Sequence, residues 1–380
     1  MNQSTKSILF LPFLQIPSGH HQVANAILEE LINRNADICC EKIDILSYSY
    51  GKIESLVSNV YLKWIQLLPG TYNVIYQASV YKNLEKNKQY RLYEALFLKS
   101  MQKLIKEKKP NLIVCSHALP SYMLNYLKGI NELEIPVVNI YTDYFIHHFW
   151  GIEHIDYHFV PSHFMKQYLL RKGLNSDQIF VTGIPIHKKI QKYREKRNSL
   201  KSSSSFSCLI TGGNMGVGAI EELVERIGEN RNIHFHVLCG KNEKLFSKLK
   251  KRNQSTITPL KYIECRKEMD ELYDKSDAIL TKPGGVTISE CLFKRKPIFV
   301  YDALPGQEEI NVKQLKKMRV IFDVRNWRKE TKPVDELLYS FLMNKQIMER
   351  FEKSIDDYHK QIAIQEPYEI IEDILVRIGK

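Results

Sequence analysis

Residues 281–290 read T-K-P-G-G-V-T-I-S-E, and they follow the short apolar run Asp277-Ala278-Ile279-Leu280. That run reads as a buried strand ending at Thr281. Ile288, Cys291 and Leu292 then recur at helical spacing. Pro283-Gly284-Gly285 is therefore a glycine turn between a strand and a helix. Such a turn brings backbone close to a ligand, and the N–H groups that open the helix favour an anion. Glu290 falls two turns into the helix, where a carboxylate can accept from a ribose diol. An ordinary strand–turn–helix corner gives the same local pattern, so the rest of the chain must decide.

The rhythm extends both ways. Residues 206–210, 233–239, 256–260, 297–301 and 320–322 read as strands. Helices at 219–227, 243–251, 267–275 and 308–318 alternate with them, and 337 onward reads as helical to the end. The first half repeats the plan: strands at 8–14, 38–43, 112–116, 137–141, 157–160 and 179–182, with helices at 19–34 and around 123–127 and 164–170. Alternation of this kind implies parallel sheets. The basic, serine-rich run 192–205 is the clearest linker. The expected organisation is α/β with two Rossmann-like domains facing each other across a cleft: residues 1–190, a linker at 191–205, and residues 206–359. A C-terminal helix at about 360–380 is expected to pack back on the first domain. Ligands in open α/β sheets bind at the carboxyl ends of the strands.

With 380 residues, 44% hydrophobic and 26% charged, the chain has the composition of a soluble globular protein with room for two cores. No apolar run is long enough for a transmembrane helix. Residues 8–14 lack the cleavage signature of a signal peptide and read as a strand. Seven scattered cysteines with no C-x-x-C argue for a reducing cytoplasm and against a zinc site. The net charge of +12 is uneven: residues 82–109 carry nine Lys/Arg against three Glu. Nucleic acid, an anionic membrane or a solvated helix face all fit that patch, but no nucleic-acid-binding module is present. Residues 56–84 mix Tyr61, Trp64, Tyr72, Tyr76 and Tyr81 with aliphatics, which suits either a membrane interface or helices on the sheet.

A second glycine loop, Gly212-Gly213-Asn214-Met215-Gly216-Val217-Gly218, also lies between strand and helix. It is neither a P-loop nor a clean dinucleotide fingerprint. Two such turns on one sheet can grip a diphosphate. Gly19-His20-His21 occupies the equivalent turn of the first half. There a helix N-terminus lowers a histidine's pKa and leaves it able to accept a proton from an alcohol. Asp143 ends the strand at 137–141 and either orients that histidine or acts itself. His147 and His148 have only weak metal-ligand spacing. Gln307, Glu308 and Asn311 stand at another strand end and suit sugar hydroxyls or a helix start.

These residues resemble a known family. Residues 281–290 with 305–311, the G-H-x-x-x-A of Gly19-His20 and Ala24, the T-D-x-x-x-H-x-x-W of Thr142, Asp143, His147 and Trp150, and Thr182-Gly183-Ile184-Pro185 are similar to the monogalactosyldiacylglycerol synthase and processive diacylglycerol beta-glucosyltransferase family, of Gram-positive type. Pro17-Ser18 before Gly19-His20, and Asn214-Met215 in the donor loop, depart from the pattern and imply differently shaped turns. The resemblance implies a GT-B fold and an inverting transfer of glucose from UDP-glucose to diacylglycerol, with no metal or other cofactor. It also implies repeated addition to mono- and diglucosyldiacylglycerol, a membrane glycolipid and lipoteichoic acid anchor. His20 and Asp143 would be catalytic. Gly212, Gly213, Asn214, Ile263, Gly284, Gly285, Thr287, Glu290, Gln307 and Glu308 would hold the donor. Trp150, His147 and Trp64 would lie on the acceptor side, with the enzyme peripheral on the cytoplasmic face of the membrane. The alternatives are a UDP-N-acetylglucosamine transferase acting on a polyprenyl-linked acceptor, and a non-catalytic UDP-sugar-binding membrane regulator.

Overall fold

A computed structural model describes residues 5–13, 19–51, 90–193, 205–212 and 219–378. Trp64, Gly213, Asn214, the aromatic stretch 56–84 and most of the linker lie outside the described residues. The chain divides into two compact units, Met1–His187 with Gln361–Lys380, and Lys188–Lys360.

The first unit is built on β1 (Lys6–Leu11), α1 (Gly19–Arg34), β2 (Ile38–Lys42), α2 (Ile45–Tyr50), α3 (Arg91–Lys108), β3 (Leu112–Cys115), α4 (Ala118–Gly129), β4 (Val137–Ile140), β5 (Tyr157–Val160), α5 (His163–Arg171) and β6 (Ile179–Val181). The strands form one six-stranded sheet in the order β2-β1-β3-β4-β5-β6, every pair parallel. The central strands are apolar throughout because helices cover both faces. β3 (LIVC) and β4 (VVNI) are buried at every position.

The second unit holds β7 (Phe206–Thr211), α6 (Ile220–Glu225), β8 (Ile233–Leu238), α7 (Glu243–Arg252), β9 (Ile257–Leu260), α8 (Arg266–Lys275), β10 (Ala278–Thr281), α9 (Gly285–Phe293), β11 (Ile298–Val300), α10 (Gln307–Met318), β12 (Phe322–Asp323), α11 (Val334–Leu342) and α12 (Lys345–Gln361). Its six strands run in the order β12-β11-β10-β7-β8-β9, again all parallel. Counted from β7, this is the 3-2-1-4-5-6 order of a doubly wound sheet. The buried Lys294 pins the segment that enters this unit. Its ammonium is 2.5 Å from Asp270 and 3.0 Å from Asp274, and Asp270 also accepts the backbone N–H of Gln191 at 2.8 Å.

Two local readings need correction, and a third gains its bounds. The first strand ends at Leu11, short of residue 14. The C-terminal region is not one helical run. α11 stops before Asn344, whose side chain accepts the N–H of Ile347 at 3.1 Å and starts α12. After Gln361 the chain breaks again, and α13 (Pro367–Ile378) opens on a proline. α13 belongs to the first unit, where the Leu375 carbonyl accepts from Lys6 Nζ at 2.8 Å and Arg34 covers the ring of Tyr368. The basic segment contains the helix that a solvated, lysine-rich face implied: α3 buries Phe97, Met101 and Leu104 at i, i+4 and i+7 and exposes Lys99, Lys103 and Lys106.

Candidate functional site

In a doubly wound sheet the switch point is where successive crossovers leave in opposite directions, and the strand ends there open a crevice. In the second unit this point lies between β7 and β10. The two strands pair in parallel with Thr211 opposite Thr281. Gly212 and the Pro283-Gly284-Gly285 turn therefore leave adjacent strands at the same end of the sheet. The sequence reading put both turns on one sheet; the strand pairing makes them direct neighbours.

Gly284 caps α9 with φ −71° and ψ 134°, a conformation open to any residue, and no side chain caps the helix. The first bond inside the helix runs from the Ile288 N–H to the Gly284 carbonyl at 3.0 Å. The N–H groups of Gly285, Val286 and Thr287 thus precede the helical ladder and point out of its end. A β-carbon on Gly284 would meet nothing within 4 Å. The glycine is therefore not needed for a strained turn. Its missing side chain leaves open space in front of the helix N-terminus, where an anion is favoured. Asn311 holds the turn from behind, its Nδ2 donating to the Pro283 carbonyl at 3.1 Å. Asn311 is buried and acts as a brace, not as an exposed amide.

Glu290 is buried in the second turn of α9. Tyr273 Oη donates to Oε2 at 2.8 Å, and Arg266 Nη1 stands 3.6 Å from Oε1. Burial raises the pKa of this carboxyl, while Tyr273 and Arg266 pull it down. Both partners come from α8 and were not singled out in the sequence; nothing local marks them. Ile263 sits partly exposed in the β9–α8 connection, ahead of Arg266. Gln307 opens α10, behind Gly306 at φ 95°. Glu308 turns back on its own loop and accepts the Leu304 N–H at 2.6 Å.

The first unit has its own switch point, between β1 and β3, which pair with Leu11 opposite Cys115. His20 lies there in the first turn of α1. Its Nδ1 is 2.8 Å from the Ser116 carbonyl oxygen and 2.9 Å from Thr142 Oγ1. A carbonyl only accepts, so Nδ1 carries the hydrogen and Nε2 keeps its lone pair. Burial lowers the pKa of His20 below its ordinary value, with Asp143 and the Ser116 carbonyl opposing. The sequence had assigned this lowering to the helix end; desolvation is the larger cause. The ring is a neutral base at pH 7, and Asp143 is close enough to favour the imidazolium that proton uptake creates.

His117, which the sequence reading passed over, meets His20 edge-on with ring centroids 4.7 Å apart. Its Nδ1 accepts the Leu119 N–H at 3.1 Å as the cap of α4. His147 Nδ1 accepts the Phe149 N–H at 3.3 Å, and burial drives its pKa down to about 3. These neutral histidines form no metal centre: among the described residues no group of three or more His, Cys, Asp or Glu is disposed to hold an ion. Trp150 is buried against Tyr141 at 4.6 Å. Its indole is part of the core and supports the 142–151 loop from within. That loop closes at Gly151, whose N–H donates to Ser121 Oγ at 3.0 Å and whose carbonyl accepts from Asn139 Nδ2 at 2.8 Å.

Residues 20–186 match the family described as monogalactosyldiacylglycerol (MGDG) synthase, and residues 207–363 match the glycosyltransferase family 28 C-terminal domain. The chain is 41% identical to the uncharacterized glycosyltransferase YkoN of Bacillus subtilis (strain 168), over 98% of this chain and 97% of that protein. It is 26% identical to the processive diacylglycerol beta-glucosyltransferase of the same strain, over 94% of this chain and 92% of that one. Among solved structures it is similar to Acinetobacter baumannii MurG, with TM-score 0.60, 14% identity, and 98% and 99% of the two chains covered. It is also similar to MnaA of S. aureus in a UDP co-structure, with TM-score 0.57, 13% identity, and 98% and 97% covered. At such identities these likenesses carry the fold, which is GT-B with two Rossmann-like domains.

Proposed function

The chain belongs to the monogalactosyldiacylglycerol synthase and processive diacylglycerol beta-glucosyltransferase family of glycosyltransferases, and from that premise we propose that it moves glucose from UDP-glucose to the free hydroxyl of diacylglycerol, inverting the anomeric carbon. In this reading His20 Nε2 removes the acceptor proton as the alcohol oxygen bonds to the anomeric carbon. The bond from that carbon to the β-phosphate oxygen breaks, and UDP leaves with the electron pair. The N–H groups that open α9 take the developing charge, so the reading needs no metal. Glu290 holds the ribose, and Gln307 and Glu308 flank the hexose. Glu308 would have to exchange its bond to Leu304 for one to sugar.

The observation that carries the reading is the pinned tautomer of His20. The Ser116 carbonyl presents a neutral imidazole with Nε2 unprotonated, as a general base for an alcohol requires. The test is chromatography of lipid products formed from diacylglycerol with each UDP-sugar in turn. Glucolipid from UDP-glucose supports the reading. UDP binding without any lipid product would leave only a binding protein. His20→Ala is expected to lower turnover at least a hundredfold with UDP affinity unchanged. Full turnover in that variant would remove His20 from the mechanism.

A peripheral position on the cytoplasmic face of the membrane is part of the same proposal. No helix among the described residues is long and apolar enough to cross a membrane. α3 exposes Tyr93 and Leu96 beside Lys99 and Lys103, apolar and basic groups together on one helix. At about 1 kcal/mol per basic residue near an anionic surface, such a face favours reversible binding. Liposome flotation checks it, and equal binding to neutral and anionic vesicles would refute the electrostatic part.

A further inference from the structure

Tyr301 follows β11 directly, its N–H bonded to the Thr281 carbonyl at 3.3 Å, so it stands beside the end of β10. The side chain is fully buried, yet its hydroxyl hydrogen-bonds no atom of the described residues. That hydroxyl lies against the first glycine of the second glycine loop. A β-carbon built on Gly212 would be 3.2 Å from Tyr301 Oη and only 2.4 Å from Ile220 Cδ1. Gly212 is thus a close approach of backbone over Ile220 and the tyrosine, at the switch point between β7 and β10.

A buried hydroxyl without a partner destabilises a fold, and phenylalanine would fill the same space without that cost. Core packing therefore accounts for the ring and not for the oxygen. Burial, with Asp302 and Glu308 nearby, pushes the pKa of the phenol up. The hydroxyl keeps its proton and serves as a donor. Among the described residues it meets no acceptor, and the ligand expected at this strand end is rich in them.

We propose that the Tyr301 hydroxyl is a hydrogen-bond donor to the diphosphate of the nucleotide sugar, adding a neutral side-chain donor to the N–H groups at the start of α9. The inference rests on the UDP-sugar reading above. It assigns Tyr301 to ligand and leaving-group binding and gives it no part in proton transfer.

Calorimetry with UDP and with uridine, on wild type and Tyr301→Phe, tests it. A hydrogen bond to a charged oxygen corresponds to about tenfold or more in affinity. Tyr301→Phe should therefore bind UDP about tenfold more weakly and bind uridine as wild type does. Without ligand, its thermal midpoint should equal or exceed that of wild type. Unchanged UDP affinity overturns the proposal. So does a lowered ligand-free midpoint, which would give the hydroxyl a structural partner. A defect seen with UDP-glucose but not with UDP also overturns it, because the hydroxyl would then meet the hexose. If wild type itself binds no UDP, the donor reading falls first, and that outcome is distinguishable from a failure of Tyr301 alone.

Discussion

Replacing Glu290 by glutamine separates the two things this carboxylate does. In the folded protein it is buried, takes a hydrogen bond from Tyr273 Oη at 2.8 Å and lies 3.6 Å from Arg266. Its pKa is raised chiefly by burial, so the charged form is less favourable in the native state than in the unfolded chain. The sign follows: a glutamate with a raised native pKa costs stability above that pKa and recovers it as pH falls. Glu290→Gln keeps the volume and an oxygen to accept from Tyr273, and removes the buried charge. Arg266 loses its partner but is one-third exposed, which makes that loss small. The variant should therefore be at least as stable as wild type at pH 7 by thermal unfolding. Ligand binding should move the other way. A carboxylate receiving ribose hydroxyls contributes about 1.5–3 kcal/mol through charged hydrogen bonds, or roughly 10- to 150-fold in affinity. A cycle of wild type and Glu290→Gln against UDP and 2′-deoxy-UDP isolates the contact. Wild type should discriminate against the deoxy ligand by tenfold or more, and the variant by much less. Equal discrimination in both proteins would refute the assignment of Glu290 to the ribose, whatever happened to overall affinity.

Gly151→Ala places a β-carbon 2.4 Å from Asn125 Cβ and 2.5 Å from the Ser121 carbonyl oxygen, so backbone must shift; a loss of roughly 1–3 kcal/mol is expected, read as a lower thermal midpoint with UDP affinity unchanged. Stability should also fall in acid. His158 is fully buried with its pKa lowered to about 3, so the unfolded chain takes up a proton below about 6.5 that the native state refuses. By pH 5.5 this one residue removes about 1 kcal/mol of the stability present at pH 7. His158→Gln should show a shallower fall in unfolding midpoint between these pH values, and an unchanged slope would contradict the account. The rate should behave differently: with the pKa of His20 lowered, the acid limb of kcat/KM is expected below pH 6.5 and the profile flat through 7.

The strand–turn–helix at residues 281–290 was legible because it is local. An apolar run, two glycines and a helical spacing all fall within fifteen residues, and each local preference agrees with the others. The same holds for α1, read correctly from Gly19 to Arg34. Other features were less visible. α3 has its apolar face at Phe97, Met101 and Leu104; the lysine-rich composition suggested a solvated helix face there but not its bounds or which residues it buries.

What only the tertiary structure decided is which distant pieces meet. Nothing near Thr281 says that β10 lies against β7 and not β9; that choice follows from the crossover reversing direction at β7, and it puts Gly212 beside the α9 N-terminus. The sequence proposed Glu290 and His20, but their partners are non-local: Tyr273 and Arg266 from α8, Ser116 from the end of β3, Thr142 from the end of β4. Side-chain chemistry is written in the residue type, whereas tautomer, desolvation and hydrogen-bond partners depend on surroundings assembled from several strands. Gly284 shows the difference in one residue. Its place in a turn where backbone nears a ligand was read from the sequence, but only the packed structure shows that its backbone would suit any residue and that a β-carbon there would meet nothing within 4 Å.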